Sequence, residues 1–175
     1  MREVLFKTIH GSRLYGLSHA GSDNDYYTVV TKKSYSGKGQ GKARYAKQTI
    51  VDSEDSMVVD FGTWVEMCKS GVPQALEAMF SPLALHDDIA DFRTSFRVGT
   101  GVYERYFRTI KSFALAEDDT IKKRRHALRL ALNLAEIGRT GRFNPTLSAA
   151  DAAYITDRAN RPHSDVYGEA MCLAW

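Results

Sequence analysis

The feature that most constrains this chain is a change of hydrophobic period at Asp60. Before it, apolar and β-branched residues come in short runs broken by glycine, serine and asparagine. After it, Phe61, Trp64, Val65 and Cys68 recur at i, i+3, i+4 and i+7, the spacing that puts side chains on one face of a helix. A period near two gives pleated strands and a period near 3.6 gives helices, and neither pattern fits the other backbone. The expected fold class is therefore α+β, with a small mixed sheet flanked by helices and a helical C-terminal part. Residues 1–83 are expected to form the strand-rich core and residues 84–175 the helical domain.

Glu3 to Ile9 reads as a strand broken by His10-Gly11-Ser12, and Leu14, Tyr15 and Leu17 suggest a short helix. Asp25 to Thr31, dense in aromatic and β-branched residues, is a second strand. Arg44 to Val51 and Ser56 to Val59 are two more. Asp60 stands where a helix N-cap belongs, Gly71 ends that helix, and Pro73 suits the first turn of the next. Beyond about residue 83 the strand signal fades, and Val102–Glu117, Asp119–Gly138 and Ala149–Ala159 read as helices. Ser148 with Asp151 resembles a capping box.

Hydrophobic residues make up 43% of the 175 and charged residues 26%, ordinary values that argue against disorder and against a membrane-spanning chain. The apolar run in MREVLFK is too short for a signal peptide. Cys68 and Cys172 lie far apart, and Cys68 falls on the buried face of a helix, so a reduced, cytoplasmic protein is expected. No cysteine–histidine spacing suits zinc, and Trp64, Met67 and Met79 read as core.

The chemistry is expected at Asp23-Asn24-Asp25. Strand alternation sends residues i and i+2 to one face, so Asp23 and Asp25 present paired carboxylates. Such a pair repels itself unless a cation neutralises it, and hard oxygen ligands suit Mg2+ or Mn2+. Alone, the triplet reads more readily as a polar turn. What adds weight is the upstream turn at Gly11 and Ser12, which offers backbone N–H groups and a hydroxyl to a phosphate.

GSRLYGLSHAGSDNDYYTVV resembles the signature of the DNA polymerase beta nucleotidyltransferase superfamily, a Gly-Ser turn followed after a short spacer by Asp-x-Asp. It is most similar to the branch of bacterial and phage nucleotidyltransferases associated with RNA repair, through Gly11-Ser12, Tyr15-Gly16 and Ser22-Asp23-Asn24-Asp25. Pro73 and Leu76-Glu77 match a later part of that pattern, and KKRRHALRLALNLAEIGRTGRFNPTL resembles its later helix. The resemblance implies a third carboxylate on a neighbouring strand, which ungapped placement puts at Asp55, with Asp60 the rival. A departure follows the second aspartate, where Tyr26, Tyr27 and Thr28 stand in place of aliphatic residues and a glycine.

These readings make Asp23, Asp25 and Asp55 the expected catalytic and metal-binding residues, with Gly11, Ser12, Lys122, His126 and Arg129 on the nucleotide. The last three come from the cluster Lys122–Arg129, where helical geometry lets them share a side. Lys32, Lys33, Lys38, Lys42, Arg44 and Lys47, interleaved with Tyr35 and Tyr45 and free of acids, suit a nucleic-acid backbone. His10, ending the first strand, is expected to be structural. The expected function is metal-dependent transfer of a nucleoside monophosphate from an NTP such as ATP to an acceptor hydroxyl, with an RNA or tRNA 3′ end as the acceptor. A protein acceptor, as in antitoxin-type adenylyltransferases, and a degenerate nucleotide-binding module are the alternatives.

Overall fold

The computed structural model describes residues 2–31, 46–51 and 54–174. The expected basic segment, Lys32, Lys33, Lys38, Lys42 and Arg44 with Tyr35 and Tyr45, lies outside the described residues.

The elements follow the chain as β1 (Val4–His10), α1 (Gly11–Tyr15), β2 (Asn24–Val30), β3 (Ala46–Val51), β4 (Glu54–Asp60), α2 (Phe61–Lys69) and α3 (Pro73–Phe80). Then come β5 (Ala84–Asp87), α4 (Ala90–Ser95), α5 (Val102–Ala114), α6 (Ile121–Thr140), α7 (Ala149–Arg158) and α8 (His163–Ala174). The strands form one mixed five-stranded sheet in the order β3-β4-β2-β1-β5. Among the described strands only β2 and β4 run parallel; the other pairs are antiparallel. The fold is α+β, as the change of period requires.

Alternation decides which side of the sheet is dry. Phe6, Tyr27, Val29 and Val59 are buried and share one core with Trp64, Leu76 and Met79 of the following helices. Full burial of each such side chain is worth about 1.5–3 kcal/mol, so this face accounts for much of the cohesion. Phe6 stacks on Trp64 with ring centroids 5.9 Å apart, and the Trp64 indole donates to the Ala75 carbonyl at 3.2 Å. Asp60 caps α2 by accepting from the Thr63 backbone N–H at 3.1 Å. Gly71 turns the chain at φ +74, where a Cβ would lie 2.9 Å from the Val102 backbone, so only glycine lets this turn touch α5. The core then runs on through α5, α6 and α8, which pack against one another. Cys68 is buried and Cys172 exposed, both as free thiols. Among the described residues, no helix is long and apolar enough to cross a membrane.

Sequence periodicity misses three elements. β5 follows directly on the expected boundary at residue 83, yet it pairs with β1 and belongs to the sheet. Its burial pattern is exposed throughout except for Asp87, so no alternation exists to read. α4 is only six residues long, shorter than the window in which a helical period is visible. α8 buries Val166, Ala170 and Ala174, a stripe dominated by alanine that carries little hydrophobic contrast.

Candidate functional site

The site lies at the end of the sheet where β1 stops. Backbone φ at Gly11 is +65, and a Cβ there would stand 1.7 Å from Oδ2 of Asp25. The glycine is thus required twice, by its left-handed backbone and by the carboxylate pressed against its Cα. α1 follows, with Leu14 and Tyr15 buried, and Gly16 ends it at φ 74. The chain between α1 and β2 is tied down locally. Ser22 donates its N–H to the His19 carbonyl at 2.9 Å, and Arg13 reaches the Ser22 carbonyl at 3.2 Å. Asp23 leaves this loop just before β2 begins at Asn24.

Strand register brings the acids together. Asp25 is the partner of His10 across the antiparallel β1–β2 pair and of Asp55 across the parallel β2–β4 pair. Partners across a ladder share a face, so Asp25 and Asp55 both turn to the face that carries the core farther along. The Asp25 carboxyl is raised above the usual carboxylate range, first by burial and then by the Asp55 and Asp23 charges, against the opposing pull of His10 and Lys122. The register sets the two rival acids apart. Asp60 pairs with Val30 at the far end of β4 and is engaged by Thr63, whose hydroxyl donates to Oδ2 at 2.6 Å. Asp55 is the acid beside Asp25.

A cavity of about 660 Å3 opens over these groups, within the range of small-ligand sites. Gly11, Ser12, Asp23, Asp25 and Asp55 line it, together with Ile121, Lys122, Arg125 and His126 from the start of α6. The structure does not bring Arg129 into this cavity. It is 3% exposed and donates to Oε1 of Glu77 at 2.6 Å. Only the first two turns of α6 reach the cavity, and Arg129 lies farther along the helix, inside the core. Arg125 takes the cavity-facing place, and its i, i+3 spacing from Lys122 is the signal that marks it. His126 is stacked on Phe113 at 5.5 Å between centroids, and burial together with Arg129 lowers its pKa to about 4. At neutral pH it is an uncharged hydrogen-bonding group.

His10 is more than a strand end. It lines the cavity, and its Nε2 lies 3.3 Å from Oε2 of Glu77, which also accepts from the Tyr15 hydroxyl at 2.6 Å. Burial pushes the Glu77 carboxyl up, but Arg129 first and then His10 and Tyr15 outweigh it, leaving the carboxyl well below its ordinary range. Sequence reasoning reached Glu77 only through the Leu76-Glu77 match, because a single acid in an apolar helix announces no partner.

Whether a divalent cation suits this donor set follows from its chemistry. Three hard carboxylates line one cavity, and the repulsion on Asp25 is what a cation would relieve. Oδ2 of Asp55 accepts from Gln48 Nε2 at 2.6 Å, so one of its oxygens is already engaged. Among the described residues, no three His, Cys, Asp or Glu side chains are arranged to hold an ion. In type the donors fit magnesium or manganese.

With this geometry, a family comparison becomes decisive: the model of the RNA repair pathway DNA polymerase beta family matches residues 2–164. The chain belongs to that family. No curated protein matches it. Membership in the RNA repair pathway DNA polymerase beta family places the chain among polymerase beta-like proteins and implies a nucleotide substrate. The match takes in all the residues that line the cavity.

Proposed function

We propose that this protein transfers a nucleoside monophosphate from an NTP to the 3′ hydroxyl of an RNA, releasing pyrophosphate. The observation that carries this reading is Asp25 in register with Asp55 beside the Gly11–Ser12 turn, within one cavity, in a chain of the RNA repair family.

The Gly11 and Ser12 backbone N–H groups and the Ser12 hydroxyl bind the β- and γ-phosphates. Lys122 and Arg125, which line the same cavity, set positive charge against the same phosphates. His126, neutral at pH 7, serves there as a hydrogen-bond partner and contributes no charge. Asp23, Asp25 and Asp55 would hold a magnesium or manganese ion, which when bound would supply positive charge to the phosphates and ease ionisation of the acceptor hydroxyl. The acceptor oxygen forms a bond to the α-phosphorus as the bond to the β-phosphate oxygen breaks. The acceptor proton passes to a carboxylate of the cluster, and pyrophosphate carries off the leaving electron pair.

Incubation with magnesium, each α-labelled NTP and a mixed RNA pool tests this. Label is expected on RNA, and Asp23→Asn or Asp25→Asn is expected to lower it at least about 100-fold while circular dichroism stays unchanged. Label on a protein partner would replace the RNA acceptor with a side chain. Absence of product from every nucleotide and pool would overturn transfer in favour of a binding module.

A further inference from the structure

α3 is buried from Ala75 to Phe80, and in its middle stands an acid with no solvent exposure. Such a group persists only if its oxygens are matched, and here they are matched by three different parts of the chain. Oε1 accepts from Arg129 of α6 at 2.6 Å. Oε2 accepts from Tyr15 of α1 at 2.6 Å and lies 3.3 Å from Nε2 of His10, the last residue of β1. His10 and Tyr15 bracket the Gly11–Ser12 turn in sequence. The Arg129 guanidinium also lies 3.8 Å from the centre of the Tyr15 ring, which closes the group on itself. Apolar side chains of equal volume would hold these elements together at least as firmly, because a buried ion pair gains little over them once desolvation is counted. What an ion pair adds is direction and fixed length.

We propose that Glu77 is a positioning residue that fixes the Gly11–Ser12 turn relative to α6, two parts of the lining of one cavity. This rests on the transfer reading above, in which the turn holds the phosphates by backbone and hydroxyl groups and α6 holds them by Lys122 and Arg125. A turn left unpinned shifts relative to those cations, and the β- and γ-phosphates lose simultaneous contact with both. In this reading the α-phosphate and nucleoside do not contact the turn.

Binding of the four common nucleoside triphosphates and their monophosphates, with magnesium present, separates this role from a general structural one. Tyr15→Phe removes one hydroxyl and keeps the ring beneath Arg129; Glu77→Gln keeps the shape and removes the charge. Each is expected to reduce the triphosphate-over-monophosphate preference about tenfold, the loss of one charge-assisted hydrogen bond. Monophosphate affinity is expected to stay within about twofold of wild type. KM for the triphosphate should rise more than kcat falls. Folded variants that keep the wild-type preference would overturn the assignment, and should Glu77→Gln not fold, Tyr15→Phe alone decides. A wild-type protein with no triphosphate preference would instead remove the phosphate-cradle reading beneath it.

Discussion

At the scale of single residues, the tightest constraint is the contact between Gly11 and Asp25. The space a side chain would need is filled by the carboxylate, and φ is +65. Gly11→Ala therefore forces strain and displaces an acid of the site together. The expected stability cost is ~1–3 kcal/mol by urea denaturation, the usual range for a non-glycine residue held in the left-handed region. Transfer activity should fall by about 100-fold, because reacting groups displaced by a fraction of an ångström lose their alignment. The Gly-Ser turn was legible in the sequence, but the reason for its glycine was not. A positive φ and a carboxylate from another strand are properties of the closed sheet.

Among elements, β4 shows how one strand carries two acids with separate tasks. Asp55 and Asp60 stand five residues apart, which at about 3.3 Å per residue puts them roughly 16 Å apart along the strand. The first faces Asp25 across the ladder and the second caps α2. Asp60→Ala is expected to cost ~1 kcal/mol of stability, the usual loss for an N-cap, with transfer within about threefold of wild type. Asp55→Ala is expected to lower transfer at least about 100-fold with stability nearly unchanged. Thermal denaturation and labelled transfer on both variants check the pair, and the opposite pattern would exchange their roles. Both acids were visible as candidates in the sequence. The sequence favoured Asp55 over Asp60, but placing it beside Asp25 takes the parallel pairing of β2 with β4, which is a non-local decision. α6 teaches a similar lesson. Its helical spacing made Lys122, His126 and Arg129 one face, yet the cavity reaches only the beginning of the helix, so Arg125 is admitted and Arg129 is enclosed.

For the molecule as a whole, buried titratable groups at the junction of sheet and helices make stability depend on pH. His126 has its pKa lowered to about 4 from an ordinary 6.5, chiefly by burial. Between those values the unfolded chain takes up a proton that the folded chain refuses, so this contribution is complete above about pH 6.5 and is lost as pH falls towards about 4. Glu77, held ionised by Arg129, His10 and Tyr15, works in the same direction. Its share is present above the ordinary carboxylate range and is lost only as pH drops through its depressed value. The urea midpoint is expected to be level above neutrality and to decline through the window between about 6.5 and 4. His126→Gln is expected to flatten that decline, and a midpoint rising on acidification would contradict the burial of both groups.

Local chemistry in the sequence determined the α+β class, the Gly11–Ser12 turn, the Asp23–Asp25 pair, the capping role of Asp60 and the long helices, because period, turn and cap preferences act over a few residues. Tertiary structure decided what depends on partners distant in the chain. It set Asp55 beside Asp25 through strand register and recruited β5 to the edge of β1 although its sequence carries no alternation. It withdrew Arg129 from the cavity and brought His10, Tyr15, Glu77 and Arg129 together. Burial and pairing are properties of the assembled core, and no window of residues contains both partners of such a contact.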